Sequence, residues 1–262
     1  MKHILLPTDF SDASFKAASF AFDLFGAKSV EYTFLNVYLQ VAYRNALYRV
    51  EVDTARNSRN GLRRMERRFR KLGGKMRVAL RSSFSPLATA LNDVHAAKPV
   101  DLVIMGTQGE GNYGLVGRNT SAAVTSASLP VIAVPAQWEP VKLDRILFAD
   151  DGLEDTAFSL EPLLVIARLT GAHITVLHID QGADTARQRA KLKALLADIP
   201  HAFRSVQGDE VVKALERAVA EEGVDLVAVV RRQRSFWHRL FQGSTSKRMA
   251  LHTNVPLLVM RG

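Results

Sequence analysis

Cysteine is absent from the 262 residues, which excludes disulfides, thiol nucleophiles and thiolate metal sites. No apolar run approaches the length of a membrane span, so no membrane association is expected. The opening Met1-Lys2-His3-Ile4-Leu5-Leu6-Pro7 has the length of a strand rather than a signal peptide, and a cytoplasmic protein is the expectation. The seven histidines show no metal-ligand spacing such as His-x-x-x-His and read as surface or strand-end residues. No serine lies in a Gly-x-Ser-x-Gly elbow, and no Gly-Lys-Ser/Thr phosphate loop occurs. No complete catalytic constellation is legible, so catalytic and metal-ligating residues are assigned to none and enzyme status is left open.

Acidic residues are scarce: 26 Asp and Glu face 35 Lys and Arg, a net charge of +9. Much of the excess lies between Arg56 and Arg81, where Glu66 is the only acid. Leu62, Met65, Phe69 and Leu72 recur there at helical spacing, which predicts an amphipathic helix with a basic, solvated outer face. A positive field alone gives weak, salt-sensitive attachment to acidic partners. No aromatic platform accompanies it, so nucleic acid is not an expected partner.

Glycine, by contrast, is concentrated. Asp101-Leu-Val-Ile-Met-Gly106 reads as a strand that runs into a loop containing Gly109, Gly111, Gly114 and Gly117, with a helix to follow. Glycine lets backbone lie close against a ligand, and a helix N-terminus adds unpaired donors and a positive dipole end. Together they suit phosphate. Gly109 to Gly114 also matches the dinucleotide pattern Gly-x-Gly-x-x-Gly, but it follows the fourth strand rather than the first and lacks the downstream acid, so the match is read as incidental.

The chain is a duplication. Ile4-Leu-Leu-Pro-Thr-Asp9 is echoed by Ile146-Leu-Phe-Ala-Asp-Asp151, and Tyr32-Thr-Phe-Leu-Asn-Val37 by Ile174-Thr-Val-Leu-His-Ile179. Val100-Asp-Leu-Val103 returns as Val224-Asp-Leu-Val227, and Leu129 to Val134 as Val255 to Met260. Residues 1–136 and 144–262 are the expected domains, with Ala136 to Leu143 as linker. In the first half, strands fall near 3–7, 30–37, 76–80, 101–105 and 131–134, and helices near 12–25, 54–72, 85–97 and 118–127. Apolar strands alternating with amphipathic helices specify a parallel sheet, so an α/β fold of two doubly wound, five-stranded domains is expected. In such sheets ligands bind beyond the strands' carboxyl ends, where Asp9, Val37 and Gly106 stand.

These residues resemble the universal stress protein family, and the repeat resembles its tandem members. The resemblance implies a Rossmann-like domain of the adenine nucleotide alpha hydrolase type and a site for ATP, with or without Mg²⁺. It implies Pro7, Thr8 and Asp9 near ribose and adenine, and Val37 at the adenine edge through its backbone. Gly106 and Gly109 would lie along ribose and the first phosphates, and Gly117 with its successors at the outer phosphates. The family spacing Gly-x2-Gly-x9-Gly-(Ser/Thr) can end at Gly117-Arg118 or at Asn119-Thr120. The first is favoured, because Gly117 to Pro130 and Gly243 to Pro256 are equally spaced; the loop is then two residues short, with Arg118 where a hydroxyl is expected. In the second half Gly243-Ser244 remains, but Val230 and Gln233 replace the earlier glycines, so that loop is read as degenerate.

The resemblance further implies a stress-response or regulatory role, an unidentified protein partner, and pairing of the two final strands into an internal pseudo-dimer. Homodimer formation and slow ATP hydrolysis stay open. The alternative is a nucleotide-independent interaction module whose basic surfaces bind acidic partners. Asp9 is a general-base or metal-ligand candidate or a helix cap, and Asp150 reads as a cap. Phe236-Trp-His-Arg239 reads as an interdomain packing or partner-contact cluster.

Overall fold

The computed structural model describes residues 1–38, 54–107, 128–150, 160–180, 186–207, 217, 220, 223–231 and 255–261. The first half runs β1 (His3–Pro7), α1 (Asp12–Phe25), β2 (Glu31–Val37), α2 (Thr54–Arg70), β3 (Arg77–Ser83), α3 (Leu87–Ala97), β4 (Leu102–Gly106) and β5 (Val131–Val134). The second runs β6 (Arg145–Asp150), α4 (Glu161–Thr170), β7 (His173–Asp180), α5 (Ala186–Leu195), β8 (His201–Gln207), β9 (Leu226–Arg231) and β10 (Leu257–Arg261). The expected helix near 118–127 lies outside the described residues.

The strands form one ten-stranded sheet in the order β3-β2-β1-β4-β5-β10-β9-β6-β7-β8. Within each half every pairing is parallel. The halves meet through an antiparallel ladder in which Leu257, Leu258 and Val259 of β10 face Ala133, Ile132 and Val131 of β5. The expected pairing of the two final strands is therefore present. Because β5 and β10 run in opposite directions, the carboxyl ends of the first five strands and of the last five lie at opposite ends of the sheet.

Side chains alternate across the strands, and two apolar layers result. Ile4, Leu6, Phe34, Ile104, Phe148, Val176 and Leu258 belong to one, with residues of α1, α2, α4 and α5 packed on them. Leu5, Leu35, Val103, Leu147, Val229 and Leu257 belong to the other, which α3 covers with Leu87 and Leu91. Both layers cross from one half to the other without a break. The linker is likewise fastened down: Trp138 is buried edge-on against Phe20 at 5.2 Å, and Lys16 Nζ donates to the Trp138 carbonyl and the Glu139 carboxylate.

The basic helix forms as its periodicity predicts. Leu62, Met65 and Phe69 are buried, and Phe69 meets Phe22, Tyr32 and Phe34 edge-on. Leu72 departs from the expected stripe. The helix ends at Arg70, so Leu72 leaves the helical register and is 36% exposed. Tyr32 closes the other side of this cluster: its hydroxyl donates 2.6 Å to the carbonyl of Gly26, the residue that ends α1 at φ 67°. Burial raises the Tyr32 pKa well above the ordinary phenol range, so the hydroxyl stays a donor.

His3 is a strand-end histidine, as read, but not a surface one. It is buried, with Nδ1 at 2.9 Å from the Pro99 carbonyl and Nε2 at 2.8 Å from the Thr33 hydroxyl.

Two stability effects follow. A Cβ on Gly61 would overlap the Phe10 ring. Gly61→Ala is therefore expected to destabilise the chain by about 1–3 kcal/mol in urea unfolding, despite the better helix propensity of alanine. Lys98, the residue after α3, donates 2.6 Å to Glu31 at the start of β2. That bond outweighs partial burial and holds the Glu31 pKa below its ordinary value. A depressed carboxyl stabilises above its unfolded pKa and loses that contribution as pH falls through the folded one. Lys98→Met should thus reduce stability near neutral pH by under about 1 kcal/mol, with the difference from the parent closing below about pH 4.

Candidate functional site

The strand order reverses between β1 and β4, since the chain goes outward from β1 through β2 to β3 and returns beside β1 as β4. A crevice at the carboxyl ends of parallel strands opens at such a reversal. Thr8 and Asp9 leave β1 on one side of it, and Gly106 closes β4 on the other. Val37 closes β2 one strand further out, opposite Ser83 of β3. The structure thus gathers Pro7, Thr8, Asp9, Val37 and Gly106 at one edge. Gly109, Gly117, Arg118, Asn119 and Thr120 lie outside the described residues.

The turn from β1 into α1 is held by Thr8 and Asp9 together with Ser11, Ser14 and Asn36, which the sequence analysis did not single out. Ser11 is the N-cap of α1, and its hydroxyl accepts from Ser14 N at 3.2 Å. The Ser14 hydroxyl donates to the Ser11 carbonyl at 2.8 Å and so accepts from the Thr8 hydroxyl at 2.9 Å. Thr8 Oγ1 in turn accepts from Phe10 N at 3.0 Å. Asn36 donates 2.7 Å to the Thr8 carbonyl from the neighbouring strand. Every hydroxyl in the chain Thr8–Ser14–Ser11 has a partner, as a buried polar group requires. The sequence signals were present: a Ser-x-x-Ser pattern at a helix start, and an amide inside the apolar run Thr33 to Val37.

Asp9 does not cap α1 directly. Its Oδ1 accepts from Ser11 N at 3.1 Å and from Ser11 Oγ at 2.5 Å, so it orients the capping serine. The carboxylate is exposed beyond the end of β1 and sits close to the positive end of α1. Phe10, between them, takes φ 73°, a conformation uncommon outside glycine and asparagine. Its ring fills the space left above Gly61.

Gly106 has a packing reason of its own. A Cβ there would fall 2.8 Å from the Ala13 carbonyl oxygen and 2.9 Å from its carbon, so α1 lies directly on the end of β4. Val230 occupies the matching place in β9, is buried within the sheet and carries a side chain where Gly106 has none. Asp150 overturns its expected role as well. It is a buried residue of β6 beside His178, whereas α4 has Leu160 at its N-cap and no side-chain cap. Val230's neighbours Gln233 to Ser244, with the cluster Phe236 to Arg239, lie outside the described residues.

Among the described residues, no group of three or more His, Asp or Glu is placed to hold a metal ion. None of the described helices is long and apolar enough to cross a membrane.

Asn36→Leu should leave the buried Thr8 carbonyl without its donor. Chemical denaturation is expected to show a loss of about 1–3 kcal/mol, with the melting transition still cooperative.

Comparison with known proteins bears on these features. The universal stress protein family profile matches residues 1–135 and 180–261. No curated protein matches the chain. Among solved structures, a universal stress protein from Archaeoglobus fulgidus aligns over 99% of this chain and 96% of its own, at 20% identity and TM-score 0.70. A functionally unknown protein from Pseudomonas aeruginosa aligns over 100% of this chain and 92% of its own, at 14% identity and TM-score 0.61. The cytoplasmic domain of a prokaryotic cation chloride cotransporter aligns over 99% and 95%, at 11% identity and TM-score 0.55. At these identities the likeness is one of fold, a Rossmann-like sheet in two halves. With the profile matching most of its length and the paired halves in place, the chain belongs to the universal stress protein family.

Proposed function

We propose that the chain binds an adenine nucleotide, ATP, in its first half, as a regulatory protein of the stress response in the cytoplasm. One observation carries the reading: the reversal of strand order between β1 and β4, with backbone free of a side chain at Gly106 and an exposed carboxylate at Asp9. The domain limits would be 1–136 and 144–262. Pro7, Thr8, Asp9 and the Val37 backbone would hold the nucleoside. Gly106, Gly109, Gly117, Arg118, Asn119 and Thr120 would line the phosphates. Arginine suits a phosphate through paired donors, so Arg118 keeps the anion chemistry that a serine or threonine would otherwise supply. Magnesium would arrive with the phosphates, since that ion is commonly held by one or two carboxylates together with substrate oxygens. Occupancy would order the glycine loop and alter a surface read by a protein partner.

A second reading has an observation of its own. Arg59, Arg63, Arg64 and Arg67 are exposed along α2, and the exposed Arg77 and Arg81 follow on the outermost strand, β3. An acidic partner bound there would dissociate steeply with added salt, whether or not nucleotide is present.

Calorimetric titration of the full chain with ATP and magnesium is expected to show one site per chain, and Gly109→Leu to abolish it. ATP at about 100 times its dissociation constant should stabilise the fold by about 2.7 kcal/mol, read as a rise in melting temperature. Absence of binding in the parent protein, or full binding by Gly109→Leu, rejects the first-half site.

A further inference from the structure

The second half carries a group of side chains whose chemistry differs from that of its counterparts in the first. Asp150 ends β6, His178 stands in β7 and Ser205 in β8. The register sets Asp150 beside His178, and His178 beside Ser205. Alternation along the strands puts all three on the face that bears Phe148, Val176 and Leu192 of α5. His178 Nδ1 lies 3.4 Å from Asp150 Oδ2. The Asp150 side chain is 4% exposed and that of His178 16%, whereas Ser205 is open to solvent. The three line a cavity of about 50 Å³ together with Arg189, Leu192 and Phe203. The Arg189 guanidinium stands 5.0 Å over the Phe203 ring.

The duplication supplies an internal comparison. The matching residues of the first half are Thr8, Asn36 and Ser82, with Asn36 beside Ser82 in the register. There the interaction is neutral, the Asn36 amide donating to the Thr8 carbonyl. The second half has an acid in place of the threonine and an imidazole in place of the amide. Burying a carboxylate is unfavourable unless it is paired, and a neutral hydrogen bond already holds the first half together without one. The exchange sets a carboxylate and an imidazole in contact, which proton-transfer chemistry can use. A buried acid, a half-buried imidazole and an exposed hydroxyl in one row follow the logic of an activated nucleophile.

We propose that Ser205, His178 and Asp150 form a nucleophilic site for short-chain carboxylic esters. The Ser205 hydroxyl oxygen bonds to the ester carbonyl carbon while His178 Nε2 takes its proton. The carbon–oxygen bond to the alcohol breaks, and His178 returns the proton to the leaving alkoxide. Water then adds to the acyl carbon as His178 accepts its proton, the bond from that carbon to Ser205 Oγ breaks, and His178 returns the proton to Oγ, releasing the carboxylic acid. Asp150 is a positioning residue that holds Nδ1, so that Nε2 is the ring nitrogen that exchanges the proton; catalytic hydrogen bonds are often long before substrate binds, as the 3.4 Å contact is here. A cavity of about 50 Å³ has room for an acyl group of a few heavy atoms, far less than the roughly 300 Å³ or more of a typical drug-sized ligand pocket. Arg189 adds positive charge to its wall, which favours the negative charge that develops on the acyl oxygen.

The test uses the full chain with a fluorophosphonate probe and with p-nitrophenyl acetate. Peptide mass spectrometry is expected to place the phosphonyl adduct on Ser205. Ser205→Ala should lose both adduct and hydrolysis while keeping the parent's melting temperature, because the side chain is exposed. His178→Gln should slow labelling and turnover by about 100-fold or more. Asp150→Asn should lower kcat with little change in KM. An unlabelled Ser205 in the parent protein, or hydrolysis retained by Ser205→Ala, overturns the proposal. ATP titration of the Ser205→Ala protein keeps this outcome separate from that of the first-half site.

Discussion

The antiparallel ladder between β5 and β10 is the contact on which the rest of the architecture depends. Each is a short strand at the border of its own half-sheet, wholly apolar in β5 and apolar up to the terminal Arg261 in β10. Left unpaired, each would offer a row of open backbone donors and acceptors to any other chain. Pairing them removes both edges and merges two apolar layers into continuous ones that run through both halves. It also settles where chemistry can occur. Opposed strand directions send the two sets of carboxyl ends to opposite ends of one sheet, so the halves are free to differ without interfering.

At the first of these ends, order comes from a small polar network rather than from apolar packing. Thr8, Ser11, Ser14 and Asn36 satisfy one another, and Asp9 holds the capping serine from outside. The network fixes the start of α1 against β4 so closely that residue 106 has no space for a side chain. The unusual backbone of Phe10 belongs to the same arrangement, since its ring is received by α2 at Gly61. A glycine that reads as a ligand contact thus has a structural cause as well, and the two are compatible: backbone packed this tightly presents a smooth edge to the crevice.

At the opposite end the copy has diverged in kind. Val230 fills the place of Gly106, and the row Thr8–Asn36–Ser82 has become Asp150–His178–Ser205. At one end the row makes a neutral amide-to-carbonyl hydrogen bond, and at the other it has gained ionisable groups around a small cavity. Duplication explains how both persist, because the shared sheet carries the stability while each set of strand ends varies.

The strands, the described helices and the repeat were legible in the amino-acid order, because burial on both faces demands apolar runs and helix packing demands a 3.6-residue period. Leu62, Met65 and Phe69 were read correctly for that reason, and Leu72 was misread because periodicity does not mark where a helix stops. That Pro7, Thr8, Asp9, Val37 and Gly106 stand at the same end of the sheet was also within reach, since strand ends at a reversal converge by topology. Local pattern does not carry contacts between residues distant in sequence. That Asp9 steadies Ser11 rather than capping the helix, that Gly106 is pressed by Ala13, and that Asp150 and His178 meet across neighbouring strands are consequences of packing. The sequence by itself determined the repeated α/β sheet and its crevice. Only the tertiary structure decided which polar side chains face one another, because register and helix approach are set by the whole core at once.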